Sequence, residues 1–248
     1  MRLSAMENNA EHSDPPAVLP AHQALFLSRG MTWVFWGLFL GLTLFFGKAS
    51  IYLFDSGIRI PAYAIGIILV LWGLRHLRRA VPLGGAWAFL LGGCSMSAFA
   101  LVYLSPFVSW WLEAPHVPWF ACNFMGFMAT AVILLLFLNL LCAKLGGMLG
   151  ANGFRLEANL SALSVVVLLL IPLALVLGFS LAASINYDSS FALEFYDMVS
   201  RVPYHCYFLF IGPCALAMMV AWKARELCAL AFKAGAPAEK SAESIPGS

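Results

Sequence analysis

Four polar residues in the second half of the chain have the spacing of neighbours on one helix face. They follow one another at intervals of three, four and four residues: Glu194, Asp197, Arg201 and His205. Residues three and four apart lie side by side on a helix, so the series could combine an acid, a base and a clamp for an anion. The alternative is a solvated face on which Asp197 and Arg201 form an ordinary ion pair. Pro203 is expected to break the helix before His205.

A second set of residues has the side chains that bind zinc or copper. His116 and Cys122 lie in the middle of the chain, and His205 and Cys206 are adjacent. No two of them have a standard chelating spacing. The adjacent His205 and Cys206 would also point in different directions from a helix. Cys122 and Cys206 could instead pair as a disulfide if both face an oxidising compartment. The sequence therefore predicts neither a metal nor another cofactor.

The segments that carry these residues have the composition of membrane helices. The chain is 62% hydrophobic and 10% charged, whereas a soluble domain has about 25% charged residues. About 20 apolar residues in a helix cross the hydrocarbon core of a bilayer. The charge-free stretches are 30–47, 60–74, 80–112, 114–143, 158–187 and 202–222. The predicted fold class is all-α, a polytopic integral membrane helical bundle whose partner is the lipid bilayer and not a nucleic acid.

These stretches predict about six transmembrane helices within a membrane domain at 30–228. The segment 1–29 is polar and the segment 229–248 has the composition of a disordered tail, so both are expected to lie outside the membrane. A tight turn is expected at residues 55–57. The spans are placed near 31–53, 59–77, 83–105, 118–142, 159–184 and 204–226.

The basic residues predict the orientation of the spans. Arg75, Arg78 and Arg79 cluster between spans two and three, and such clusters stay in the cytoplasm. With that loop inside, eleven Lys and Arg residues lie inside and three outside. The sequence thus predicts a multi-pass protein of the cytoplasmic (inner) membrane with both termini in the cytoplasm.

Small residues in two spans predict close helix packing. Gly84, Ala88 and Gly92 recur at four-residue intervals in the third span, and Gly37 and Gly41 do so in the first. Such spacing lets membrane helices approach closely. The contact could lie within one bundle or with another subunit, either a different protein or a second copy.

The predicted spans contain no Asp or Glu apart from Glu226, the last residue of the sixth span at its cytoplasmic end, and buried acids usually mark proton and ion pathways. The leading functional hypothesis is therefore a non-enzymatic subunit or scaffold of a membrane complex. One alternative is a permease or channel-like component for a neutral or apolar solute, with bends at Pro172 and Pro213. A third is an enzyme that acts at the outer headgroup level through the polar series at 194–205.

Overall fold

The structure is a computed structural model that describes residues 20–46, 50–53, 58–80, 85–185, 191–201 and 207–243. Helices dominate the described chain, and one short antiparallel hairpin joins the first two of them. In chain order the elements are α1 (Ala21–Phe46), β1 (Ser50–Leu53), β2 (Ile58–Pro61), α2 (Tyr63–Ala80), α3 (Gly85–Glu113), α4 (Pro118–Met148), α5 (Asn152–Val165), a π turn (Val166–Leu170), α6 (Ile171–Ile185), α7 (Phe191–Ser200) and α8 (Tyr207–Glu243).

Four of the described helices are long and apolar enough to cross a membrane. Each is far longer than the roughly 20 residues that a bilayer requires, and none needs a partner strand to satisfy its backbone groups in lipid. The chain is therefore a helical protein with the build of a membrane protein. The four segments are Ala21–Phe46, Gly85–Glu113, Pro118–Met148 and Asn152–Gly178.

The hairpin corrects the prediction of a purely helical first span at 31–53. Helix α1 ends at Phe46, and residues 50–53 form β1, which pairs with β2 in the register Ser50↔Pro61 to Leu53↔Ile58. Short apolar runs fit a strand as well as a helix, so hydropathy alone could not separate the two. The turn expected at 55–57 lies outside the described residues.

Helix α1 also begins earlier than the sequence predicts. It starts at Ala21, so residues 21–29 belong to the helix and not to a separate polar segment. Ala24 and Leu27 are fully buried in this first part. Their burial explains why the helix begins before the charge-free stretch at 30–47.

Helices α1 and α2 run antiparallel with their backbones in contact. A Cβ atom added at Gly66 would lie 2.5 Å from the Cα of Gly41 and 2.6 Å from the carbonyl oxygen of Gly37. Two turns further along, a Cβ at Gly73 would lie 2.7 Å from the carbonyl oxygen of Gly30. Backbone atoms cannot move aside as a flexible side chain can, so glycine is needed at both crossings.

Helix α3 continues past its proline to Glu113, eight residues beyond the predicted span. Pro106 has no N–H to donate to the carbonyl oxygen of Val102. The hydroxyl of Ser105 donates to that oxygen instead, at 2.8 Å. Tyr63 Oη donates to the Ser105 carbonyl oxygen at 2.8 Å and so ties the start of α2 to the same turn.

A glycine cap ends α4 and directs the chain into α5. Gly150 has a φ of 68°, which favours glycine. The N–H of Gly150 donates to the carbonyl of Gly147 at 3.3 Å, and that of Ala151 to the carbonyl of Gly146 at 2.9 Å. These two bonds form a Schellman motif. The turn brings α5 close enough that a Cβ at Gly146 would lie 2.8 Å from the ring of Phe154.

A π turn separates α5 from α6, directly before a proline. Pro172 cannot donate to the carbonyl of Leu168, and the N–H of Ile171 bonds to the carbonyl of Val166, five residues back. The longer hydrogen-bond step accommodates the missing donor without ending the helix. The predicted fifth span at 159–184 is therefore one helical segment with an internal irregularity.

Helix α8 corrects the predicted disordered tail. It runs from Tyr207 to Glu243, so residues 229–243 are helical, and residues 244–248 lie outside the described part of the chain. Its buried face consists of small side chains, including Ala217, Ala221, Ala224 and Cys228. Near its middle, Lys223 Nζ lies 2.6 Å from Glu157 Oε2 of α5.

Candidate functional surfaces

The polar series predicted as a possible active site lies on the exposed face of α7. Arg201 Nε lies 2.8 Å from Asp197 Oδ1, with the Arg201 side chain 78% and the Asp197 side chain 54% exposed. Glu194 is also exposed. His205 lies outside the described residues. The described members therefore form a solvated ion pair of low energetic value on a face that water can reach.

The predicted metal-ligating residues are only partly described. His116, in the turn between α3 and α4, and Cys122, in the first turns of α4, are both exposed. Among the described residues Cys122 has no disulfide partner, and the pairing considered with Cys206 stays a prediction. His205 and Cys206 lie outside the described ranges. In the described segments no three His, Cys, Asp or Glu side chains have the arrangement of a metal site.

A shallow cleft of about 300 Å³ lies where α3 meets α4. It is lined by Trp110, Glu113, Ala114 and Phe120. The ring centroids of Trp110 and Phe120 are 5.9 Å apart.

Trp111, unlike the neighbouring Trp110, is a core residue. Its side chain is 2% exposed. Its ring stacks on Phe124 with a centroid distance of 4.1 Å. The contact therefore joins α3 to α4 and accounts for the burial of the Trp111 side chain.

The predicted small-residue positions fall into two structurally different groups. Gly37 and Gly41 face Gly66 in the backbone contact between α1 and α2. Ala88 and Gly92 face out of the described bundle, and a Cβ added at Gly92 would meet nothing within 4 Å. Gly84 lies outside the described residues.

The glycines of α2 are the contact residues that sequence reasoning missed. Gly30 and Gly37 are seven residues apart, and so are Gly66 and Gly73. A seven-residue interval returns to nearly the same helix face. The matching intervals are the signal by which the sequence alone could have paired these two helices.

The basic residues predicted to set the orientation occupy the end of α2. Arg75, Arg78 and Arg79 are all exposed, and the Arg75 guanidinium carbon lies 5.9 Å from the ring centroid of Trp72. The ion pairs found among the described residues lie elsewhere, on α7 and between α5 and α8. The chain has no Asp or Glu between Asp55 and Glu113.

Two polar side chains are buried between α4 and α5. Asn139 Nδ2 donates to the carbonyl of Leu135 at 2.9 Å, but Asn139 Oδ1 and Ser161 Oγ have no partner among the described residues. Gly146 contacts Phe154 in this antiparallel pair, which places Asn139 and Ser161 at a similar level two turns away. Unpaired acceptors in a dry interior cost about 1–3 kcal/mol each.

Comparison with known proteins gives this chain no relatives. No protein family model matches it, and no curated protein or solved structure resembles it significantly. Any functional conclusion therefore depends on the surfaces described above.

Proposed function

We propose that this chain is a non-enzymatic subunit or scaffold of a membrane complex, crossing the inner membrane six times with both termini in the cytoplasm. Four long apolar helices support the membrane placement. Helix α2, with 18 residues, and helix α8, with 37, supply the other two crossings. The positive-inside rule then directs the Arg75–Arg79 end of α2 to the cytoplasm.

The observation that carries the subunit hypothesis is the outward face of α3. Ala88 and Gly92 are exposed there, one helical turn apart, and leave the backbone accessible. By contrast, Gly66 and Gly73 of α2 are covered by a neighbouring helix. Small residues favour helix association in lipid because they permit close backbone contact. The α3 face therefore suits a helix of a partner subunit.

A co-purification experiment tests this role. The tagged protein is extracted in mild detergent, and proteins retained with it are identified for the wild type, Gly92→Leu and Gly178→Leu. Gly178 is the matched control, because its added Cβ also meets nothing within 4 Å and it lies on α6. We expect Gly92→Leu to lose a subunit that the wild type and Gly178→Leu both retain.

Two results would contradict the subunit hypothesis. One is a wild-type protein that purifies as a monomer without a stoichiometric partner. The other is a Gly92→Leu variant that keeps the same partners in the same amounts. Light scattering on the purified sample distinguishes a second copy of the chain from a different protein.

The π turn before Pro172 favours a permease for a neutral solute as a second candidate. Such turns interrupt the regular ladder of a helix and recur at functional sites. A bend at Pro172 could let α6 move relative to α5. The test is solute flux into vesicles that contain the purified protein, comparing the wild type with Pro172→Ala. Absence of flux across a panel of neutral solutes in the wild type would reject this candidate.

A further inference from the structure

The outward face of α2 changes character along its length. Five exposed residues follow at intervals of three and four: Ile65, Ile68, Trp72, Arg75 and Arg79. This spacing keeps them on one side of the helix. The face therefore begins apolar, passes through an indole, and ends in guanidinium groups.

The opposite face of α2 is fully used for packing. Gly66, Val70, Gly73 and Leu77 are buried, and the two glycines contact the α1 backbone. The outward face is free of this contact, since Ile68 is 53% and Trp72 50% exposed. Whatever covers this face in the cell must match apolar surface at one end and positive charge at the other.

This face is long enough to line a lipid of the cytoplasmic leaflet from its acyl chains to its headgroup. Fourteen residues separate Ile65 from Arg79, which at about 1.5 Å per residue is roughly 21 Å. A leaflet has about 15 Å of hydrocarbon and a polar headgroup layer beyond it. Trp72 lies between the two ends, where indole rings favour the interface.

The arginines at the end of this face form a compact positive cluster. Arg78 and Arg79 follow Arg75 at three and four residues, so both are its neighbours on the helix surface. No described carboxylate pairs with any of them. The Arg75 guanidinium carbon lies 5.9 Å from the Trp72 ring centroid, and the His76 ring centroid lies 5.8 Å from it.

We propose that the outward face of α2 binds an anionic phospholipid. The acyl chains lie along Ile65 and Ile68, and the phosphodiester binds the guanidinium groups of Arg75 and Arg79. Guanidinium groups offer paired N–H donors that match phosphate oxygens. The proposal rests on α2 crossing the membrane, as proposed above, but it needs no partner protein.

Native mass spectrometry of the full chain in a neutral detergent tests the lipid site. Phosphatidylglycerol and phosphatidylcholine are added at equal concentration, and the bound fraction of each is measured. We expect phosphatidylglycerol to be retained at least about tenfold better, because each arginine near an anionic headgroup contributes about fivefold. Equal retention of both lipids would overturn the proposal.

Substitutions at the same membrane end localise the effect. Arg75→Gln with Arg79→Gln is expected to lower phosphatidylglycerol retention roughly tenfold to thirtyfold. The matched control, Lys144→Gln with Arg155→Gln, removes the same charge from exposed positions on other helices and should leave retention unchanged. Equal losses in both double variants would show only a diffuse charge effect and would overturn the assigned site.

Two further measurements are needed. One distinguishes a loss of lipid binding from a loss of folding, and the other distinguishes a bound lipid from bound free phosphate. Arg75→Lys with Arg79→Lys keeps the charge that orients the helix but removes the forked donors, so it should insert normally and lose several-fold in retention. Inorganic phosphate in large excess should not displace the lipid. Displacement of the lipid by phosphate would mean that the cluster binds free phosphate and would overturn the lipid assignment.

Discussion

The substitution Gly66→Ala tests the helix contact on which the bundle depends. Its added methyl carbon would lie 2.5 Å from the Cα of Gly41 and 2.6 Å from the carbonyl oxygen of Gly37. Ordinary van der Waals contact begins near 3.4 Å. Both obstructing atoms belong to the backbone, so α1 and α2 must separate by about 1 Å, which weakens every contact along the pair.

The steric cost can be isolated by comparison with Gly92→Ala. Overpacking of this kind costs about 1–3 kcal/mol, while alanine in place of glycine stabilises a helix by about 1 kcal/mol. The second effect is shared by both variants, whereas a Cβ at Gly92 meets nothing within 4 Å. We therefore expect Gly66→Ala to be less stable than Gly92→Ala by about 1–3 kcal/mol.

Intermediate substitutions should follow the same geometry. Gly73→Ala places its methyl 2.7 Å from the carbonyl oxygen of Gly30 and should be nearly as damaging as Gly66→Ala. Gly93→Ala faces only the ring of Phe137, at 2.9 Å. That ring can rotate away, so its cost should be smaller.

Reversible unfolding in mixed micelles of neutral detergent and dodecyl sulfate measures these differences, with helix content as the signal. The expected order of stability is Gly92→Ala highest, then Gly93→Ala, with Gly73→Ala and Gly66→Ala lowest. Equal midpoints for Gly66→Ala and Gly92→Ala would refute the backbone contact between α1 and α2.

Three other experiments test separate features. Asn139→Leu replaces a buried acceptor that has no partner among the described residues, so it should leave stability unchanged or raise it by about 1–2 kcal/mol in the same unfolding assay; a clear loss would mean that this oxygen is hydrogen-bonded. A double-mutant cycle of Asp197→Ala and Arg201→Ala should give a coupling below about 1 kcal/mol, because both side chains are exposed; a larger value would contradict the solvated ion pair. A membrane-impermeant maleimide applied to intact cells should label Cys122, with one label fewer in Cys122→Ser, but should leave the buried Cys142 unreacted; no change in Cys122→Ser would contradict the proposed orientation.

The helical membrane class could be predicted from the sequence because it depends on local composition. A bilayer requires long apolar segments that satisfy their own backbone hydrogen bonds. Stretches such as 114–143 meet that requirement wherever their neighbours lie. The long helices α3, α4 and α5–α6 each have one end within two residues of an end of a predicted span.

Element boundaries depended on contacts that the sequence does not display. Residues 50–53 are apolar and could continue α1, but they pair with residues 58–61 across a short connection. Residues 21–29 belong to the predicted polar segment 1–29, yet burial of Ala24 and Leu27 holds them in the helix. In both cases contacts with other residues decide between local alternatives of similar propensity.

The roles of the small residues were decided only by the tertiary structure. Gly37–Gly41 and Ala88–Gly92 show the same four-residue spacing, yet the first pair lies against the α2 backbone and the second faces outward. Spacing fixes which residues share a helix face, but the rotation of each helix about its axis depends on all of its neighbours. The sequence thus determined that the polar series at 194–201 could share one face of a helix, and the tertiary structure decided that this face is exposed.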